Sequence, residues 1–139
     1  MRTPFQFKQF SVKDENSPMK VNTDAVLLGA WVNPSKPKKI LDIGTGCGVI
    51  ALLLAQRFDG RISGIDLDEG AIMDAKINFA ESPWPERLKA IHQDFNIFSA
   101  SSDQRFDLIV SNPPYFENSL RSPKHDRNIS RHTDSLTHQ

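Results

Sequence analysis

Two clusters of residues in this chain are spaced for chemistry. The first is Asp42-Ile43-Gly44-Thr45-Gly46-Cys47-Gly48, in which glycines alternate behind a carboxylate. Glycine lets a backbone turn tightly and pass close to a ligand without Cβ clashes. The helix start expected behind the turn offers unpaired N–H groups to an anionic group such as a carboxylate. The second cluster is Ser111-Asn112-Pro113-Pro114-Tyr115. Pro113 and Pro114 have a locked φ and donate no N–H, so their carbonyls face outward with nothing local to bind. With the Asn112 amide oxygen beside them, they can accept both hydrogens of one flat amino group. Tyr115 adds a ring on which a planar base or amide can stack.

The glycine turn is not a complete dinucleotide fingerprint. In G-x-G-x-x-G spacing Gly44 and Gly46 fit, but the third slot is Val49. Asp42 would repel a pyrophosphate, yet could bind an ammonium directly or through water. A ligand carrying a cation, a carboxylate and a nucleoside suits that set, which points to S-adenosylmethionine. Asp66 lies eighteen residues after Gly48, near the distance at which nucleoside-binding folds place a carboxylate on ribose hydroxyls. Its two oxygens suit a vicinal diol. In Gln93-Asp94-Phe95, Asp94 can accept from an adenine amine with Phe95 beside the ring, although alone this is ordinary loop chemistry. Asp68 reads as a helix N-cap rather than a ligand contact. A ligand-free strand–helix turn would use the same glycines, and a bare Asn-Pro-Pro-Tyr can be a turn or a docking motif. Their shared position at strand ends favours a site.

The elements that must position these residues can be read from the pattern. Phe5-Gln6-Phe7-Lys8-Gln9-Phe10 alternates and predicts a strand; residues 14–18 predict a turn and Met19-Lys20-Val21 a short return strand. Asn22-Thr23-Asp24 supplies cap residues for a helix to about Trp31. Strands are predicted at 39–43, 61–66, 88–92 and 106–110, with buried or amphipathic helices at 49–55 and after Asp68. Strands alternating with helices imply right-handed crossovers and an α/β, doubly wound, Rossmann-like parallel sheet. The expected organisation is a segment 1–33 packing on the cofactor site, a core 34–116 and a polar tail 117–139. A sheet ending at the fourth strand would leave an apolar edge, so the chain reads as a fragment or as having that edge covered by a partner.

Composition narrows the classes. The 139 residues are 38% hydrophobic with zero net charge, enough for one core and about one domain. No apolar run approaches a membrane span, nothing resembles a signal core, and the single Cys47 fits a reducing cytoplasm. The first forty residues are net positive and residues 41–111 net negative. That disfavours nucleic acid binding all over, but allows it on one face. Lys8, Lys13, Lys36, Lys38 and Lys39, with Arg121, Lys124, Arg127 and Arg131, are candidate phosphate contacts around a flipped base, or simply solvated charges. His92, His125, His132 and His138 show no ligand spacing, and no metal is assigned.

Asp42-x-Gly44-x-Gly46-x-Gly48 with Asp66 and Asn112-Pro113-Pro114-Tyr115 resembles class I S-adenosylmethionine-dependent methyltransferases acting on an amino nitrogen. Phe7-Lys8-Gln9-Phe10, Met19-Lys20-Val21-x-Thr23-Asp24 and Leu27-Leu28-Gly29-Ala30-Trp31 narrow this. They resemble the bacterial tRNA1(Val) (adenine-37-N6)-methyltransferases. The resemblance implies a longer chain with further strands, so the sequence reads as C-terminally truncated. It implies a tRNA adenine as substrate, and places Lys20, Thr23 and Asp24 near the cofactor's methionine end; a helix cap plus a solvated lysine is the plainer reading of those three. Asn112 then belongs with both the catalytic and the cofactor-binding residues. If Asn112 Oδ1 and the Pro113 carbonyl each accept one N–H, the adenine nitrogen is drawn toward tetrahedral geometry. Catalysis would be positioning and electrostatics, without metal or covalent intermediate. Release-factor glutamine methyltransferases and ribosomal RNA guanine methyltransferases carry a similar Asn-Pro-Pro-aromatic loop, but the Met19–Trp31 block argues against them. A cofactor-binding module without turnover is the non-enzyme reading.

Overall fold

The computed structural model describes residues 3–101 and 105–111. In chain order the elements are β1 (Phe5–Gln6), β2 (Ser11–Val12), α1 (Thr23–Trp31), β3 (Lys39–Ile43), α2 (Val49–Arg57), β4 (Arg61–Asp66), α3 (Glu69–Glu81), β5 (Leu88–His92), α4 (Phe95–Ser101) and β6 (Leu108–Ser111). Strands β3 to β6 form one parallel sheet in the order β5-β4-β3-β6. From β3 the chain steps outward through β4 to β5. It then returns through α4 to lay β6 on the other side of β3. Strand order therefore reverses at β3, and the carboxyl ends of β3 and β6 border the crevice where such sheets take ligands.

Register decides which side chains meet. Ile40 is paired with Ile62 and Leu108, and Ile62 with Leu88. Alternate strand residues share a face, so these four form one apolar row. Val49, Ile50, Leu52 and Leu54 of α2, Ala75 and Phe79 of α3, Ala25 of α1, and Phe10 and Val12 complete this core. Each such fully buried Leu or Ile is worth about 1.5–3 kcal/mol of transfer free energy. The segment before β3 is thus part of one core with the sheet. The opposite face holds Leu41 and Ile65 under Phe98 of α4, with Ile43, Ile91 and Ile109 against them. Arg87 donates to the carbonyls of Ala55, Phe58 and Gly60 and so satisfies the C-terminal end of α2.

Four expectations need correction. The predicted strand over 5–10 is only β1: Phe7 N–H closes a turn onto Phe10 O at 2.8 Å and β2 runs back antiparallel. The apolar alternation there serves an aromatic stack instead, with Phe7 and Phe10 ring centroids 4.8 Å apart and Trp84 edge-on to Phe10. Met19–Val21 is no strand; Val21 N–H is held by Asp14 Oδ2 at 2.9 Å. Residues 95–101 form α4, where the sequence pattern has only loop chemistry at Gln93-Asp94-Phe95 and assigns no element; Asp94 Oδ1 accepts Asn96 N–H at 2.6 Å and begins it. The strand expected from Phe106 starts at Leu108, because Asp107 spends its carboxylate on the Lys38 and Lys39 N–H groups. Among the described residues no helix is long and apolar enough to cross a membrane.

Candidate functional site

The glycine turn leaves β3 and folds over the end of β4. Gly44 and Thr45 N–H both donate to Ile65 O at 2.9 Å. Gly44, Gly46 and Gly48 all have positive φ, which only glycine adopts without strain. Gly64 on β4 lies beneath the turn; a Cβ there would stand 2.5 Å from Thr45 Oγ1. Without that Cβ, Thr45 packs down and its hydroxyl donates to Asp42 Oδ2 at 2.7 Å.

In front of the turn is a cavity of about 460 Å³, within the usual range for small-ligand pockets. Gly44, Thr45 and Gly46 form its floor, and Val49 and Ile50 bring in the start of α2. Asp66 and Asp68 stand on one side with Phe95, while Pro18, Met19 and Lys20 stand on another. A Cβ at Gly44 or Gly46 would meet nothing within 4 Å. The space that their side chains would take is therefore free for a ligand.

Asp66 is built into this wall. One oxygen accepts Gly46 N–H at 2.8 Å and the other Asp68 N–H at 2.9 Å. Each carboxylate oxygen has a second lone pair, so the fork toward a diol is still available. Asp68 Oδ2 accepts Ala71 N–H and caps α3, as the sequence predicts. Lys20 borders the cavity, with Nζ donating to the Asp14 and Glu15 carbonyls.

Five of the residues expected at the site do not line the cavity. Thr23 and Asp24 are exposed in the first turn of α1, whose N-cap Asn22 and buried Ala25 face the cavity instead. Gly48 faces Phe79, and Asp94 caps α4 while its neighbours Gln93 and Phe95 reach the wall. Asp42 is fully buried behind the turn, so direct contact with a ligand ammonium is not what this geometry provides. Thr45, which lines the cavity, bonds Asp42 through its hydroxyl. Asn112, Pro113, Pro114 and Tyr115 lie outside the described residues. Ser111, just before them, is paired with Ile43, just before Gly44. The wall residues Pro18, Asn22, Leu67 and Gln93 are not among those expected at the site: their local signals mark a turn, a cap and a loop, and nothing local marks a loop that closes over a distant turn.

Among the described residues Asp42 Oδ1 has no hydrogen-bond partner. Burial pushes the Asp42 carboxyl up to about 7; the Asp66 charge adds to the rise and the Thr45 hydroxyl opposes it. A carboxyl whose folded pKa exceeds its unfolded value stabilises the fold at low pH, and that contribution fades as pH rises between the two values. Stability should therefore fall between about pH 4 and pH 7 and level off above, by roughly 4 kcal/mol from this group. Asp42→Asn keeps an acceptor for Thr45 and cannot ionise. Urea unfolding from pH 4 to 9 should show a flatter profile for the variant; parallel profiles would contradict this assignment.

Residues 17–134 match the methyltransferase small domain family. A tRNA1(Val) (adenine(37)-N6)-methyltransferase of Bacteroides thetaiotaomicron is 52% identical over 137 residues, 97% of this chain and 57% of that protein. The protein of the same name from Vibrio parahaemolyticus is 48% identical over 96% of this chain and 56% of its own length. The chain thus spans just over half the length of the curated relatives it matches. A SAM-dependent methyltransferase from Agrobacterium tumefaciens superposes with a TM-score of 0.64 at 18% identity, covering 81% of this chain and 40% of that one. That likeness establishes the shared fold.

Proposed function

Because the chain belongs to the methyltransferase small domain family, we propose that it binds S-adenosylmethionine in the cavity under the glycine turn. We propose further that it serves methyl transfer to the exocyclic N6 amine of a tRNA adenine, adenine 37 of tRNA1(Val), in the cytoplasm. The observation that carries this reading is the cavity itself. At the point where strand order reverses, the turn presents free space over Gly44 and Gly46 beside the Asp66 carboxylate. The identity to the tRNA methyltransferases over nearly the whole chain supports the substrate.

The bound cofactor supplies an activated methyl group on a sulfonium. The chain's part is to bind and orient. Gly44 to Gly46 admit the cofactor's amino-acid end close to the backbone. Asp66 accepts from the ribose hydroxyls, and Phe95 gives an apolar face to the adenine. Thr45 holds the turn to Asp42, whose carboxyl adds a negative centre behind it once ionised. Asn112 and the Pro113 carbonyl hold the target amine, and Tyr115 stacks on its base. Lys36, Lys38 and Lys39 lie before or at the start of β3, the end of the sheet remote from the cavity.

The test is transfer of labelled methyl from S-adenosylmethionine by the full-length protein. It would be offered unmodified total tRNA, a release factor and ribosomal RNA, followed by digestion. Label in N6-methyladenosine from tRNA1(Val) is expected. Label on glutamine or guanine would overturn the substrate assignment.

A further inference from the structure

Two polar side chains on α3 belong neither to the cavity wall nor to the helix's own hydrogen bonding. Asp74 and Asn78, one helical turn apart, are only 1% and 2% exposed. Burying a carboxylate and an amide is costly unless they are well paired. Their partners lie far away in sequence. Asp74 Oδ2 accepts Asn16 N–H at 2.9 Å and the Ser17 hydroxyl at 2.6 Å, and Oδ1 accepts Asn16 Nδ2 at 2.9 Å. Asn78 Oδ1 accepts Lys13 N–H at 2.8 Å, while Nδ2 donates to Lys13 O and Cys47 O, each at 2.8 Å.

These bonds converge on two backbone segments. Residues 13–17 lead into Pro18, Met19 and Lys20 of the cavity wall, and Cys47 sits between Gly46 and Gly48 in the turn. The far end of the first segment closes on itself through Val21 N–H and Lys20 Nζ, which donate to Asp14. Neither segment has a strand or helix of its own to fix it. Apolar residues at 74 and 78 would leave the Asn16 and Lys13 backbone groups without these partners, so the buried polar pair selects one arrangement of the chain.

We propose that Asp74 and Asn78 are positioning residues that lock the Lys13–Lys20 segment to the glycine turn and thereby set the width of the cofactor seat. This rests on the cofactor reading above. The effect on the ligand is indirect: Asn78 ties the two walls at Lys13 and Cys47, and Asp74 holds the loop at Asn16 and Ser17.

The experiment uses the full-length protein with S-adenosylhomocysteine as probe, well below the unfolding midpoint of every variant. Asn78→Ala and Asp74→Asn are each expected to raise the Kd by about tenfold or more, the scale of one buried group left unsatisfied. Ser17→Ala combined with Asp74→Asn should cost little more than Asp74→Asn alone, because both remove the same tether. Hydrogen exchange without ligand supplies an independent readout. In Asn78→Ala the Ser17 and Val21 amides should exchange faster, while β3 and β4 amides keep their protection. Variants that lose melting temperature but bind with unchanged Kd would overturn the proposal, as would a strictly additive double variant. If the unsubstituted chain binds no probe, the cofactor reading fails. The exchange result then decides the lock alone: unchanged Ser17 and Val21 protection refutes it.

Discussion

Gly46→Asn is expected to weaken S-adenosylhomocysteine binding by more than about a hundredfold, near 2.7 kcal/mol, with little change in fold. Gly46 has φ +57° and open space where a side chain would project. Asparagine is the residue other than glycine that best tolerates this left-handed conformation, so backbone strain is small. The substitution should lower stability by about 1 kcal/mol, a few degrees in melting temperature. The Gly46 N–H to Asp66 bond needs no side chain at residue 46 and should persist. What changes is occupancy: an amide group fills the cavity between the turn and Asp66. Titration calorimetry with thermal melts checks both halves. Binding with the original Kd would mean that the ligand does not lie over the turn.

Asn112→Ala should remove methyl transfer, by about 10²–10³-fold in kcat, while cofactor Kd stays within about twofold. The reason is chemical. Adenine's exocyclic nitrogen is a weak nucleophile because its lone pair is delocalised into the ring. Two acceptors aimed at its hydrogens favour the pyramidal form, and alanine deletes one of them. The described part of the cofactor seat is built on Gly44 to Gly46 and Asp66, so binding should persist without the Asn112 amide. Single-turnover transfer and equilibrium binding, measured on the same full-length preparation, separate the two effects. Equal losses in both would show that Asn112 holds the cofactor rather than the amine.

Much of this architecture is legible in the order of the residues. The bounds of β3 and β4 follow the sequence pattern because these inner strands are covered on both faces and flanked by breakers. Asn22 and Asp68 announce α1 and α3 because a cap is a local event, a side chain bonding an N–H three residues on. The phenylalanines at the start mislead because alternation marks a strand only when a neighbouring strand answers it, and here β2 answers two residues. Helix α4 is hidden because the Asp94 carboxylate suits a ligand contact as well as a cap, and only its geometry shows that it caps.

The sequence by itself determined the repeating strand–helix pattern, the glycine turn and the acid that ends β4, since each depends on neighbours within a few residues. Only the tertiary structure decided that Asp42 lies behind the turn, that Pro18 to Lys20 close the cavity, and that Asp74 and Asn78 hold them there. Those outcomes depend on hydrogen bonds between residues tens of positions apart. Which distant donor meets which buried acceptor is settled by strand order and packing, and no local pattern of residues records it.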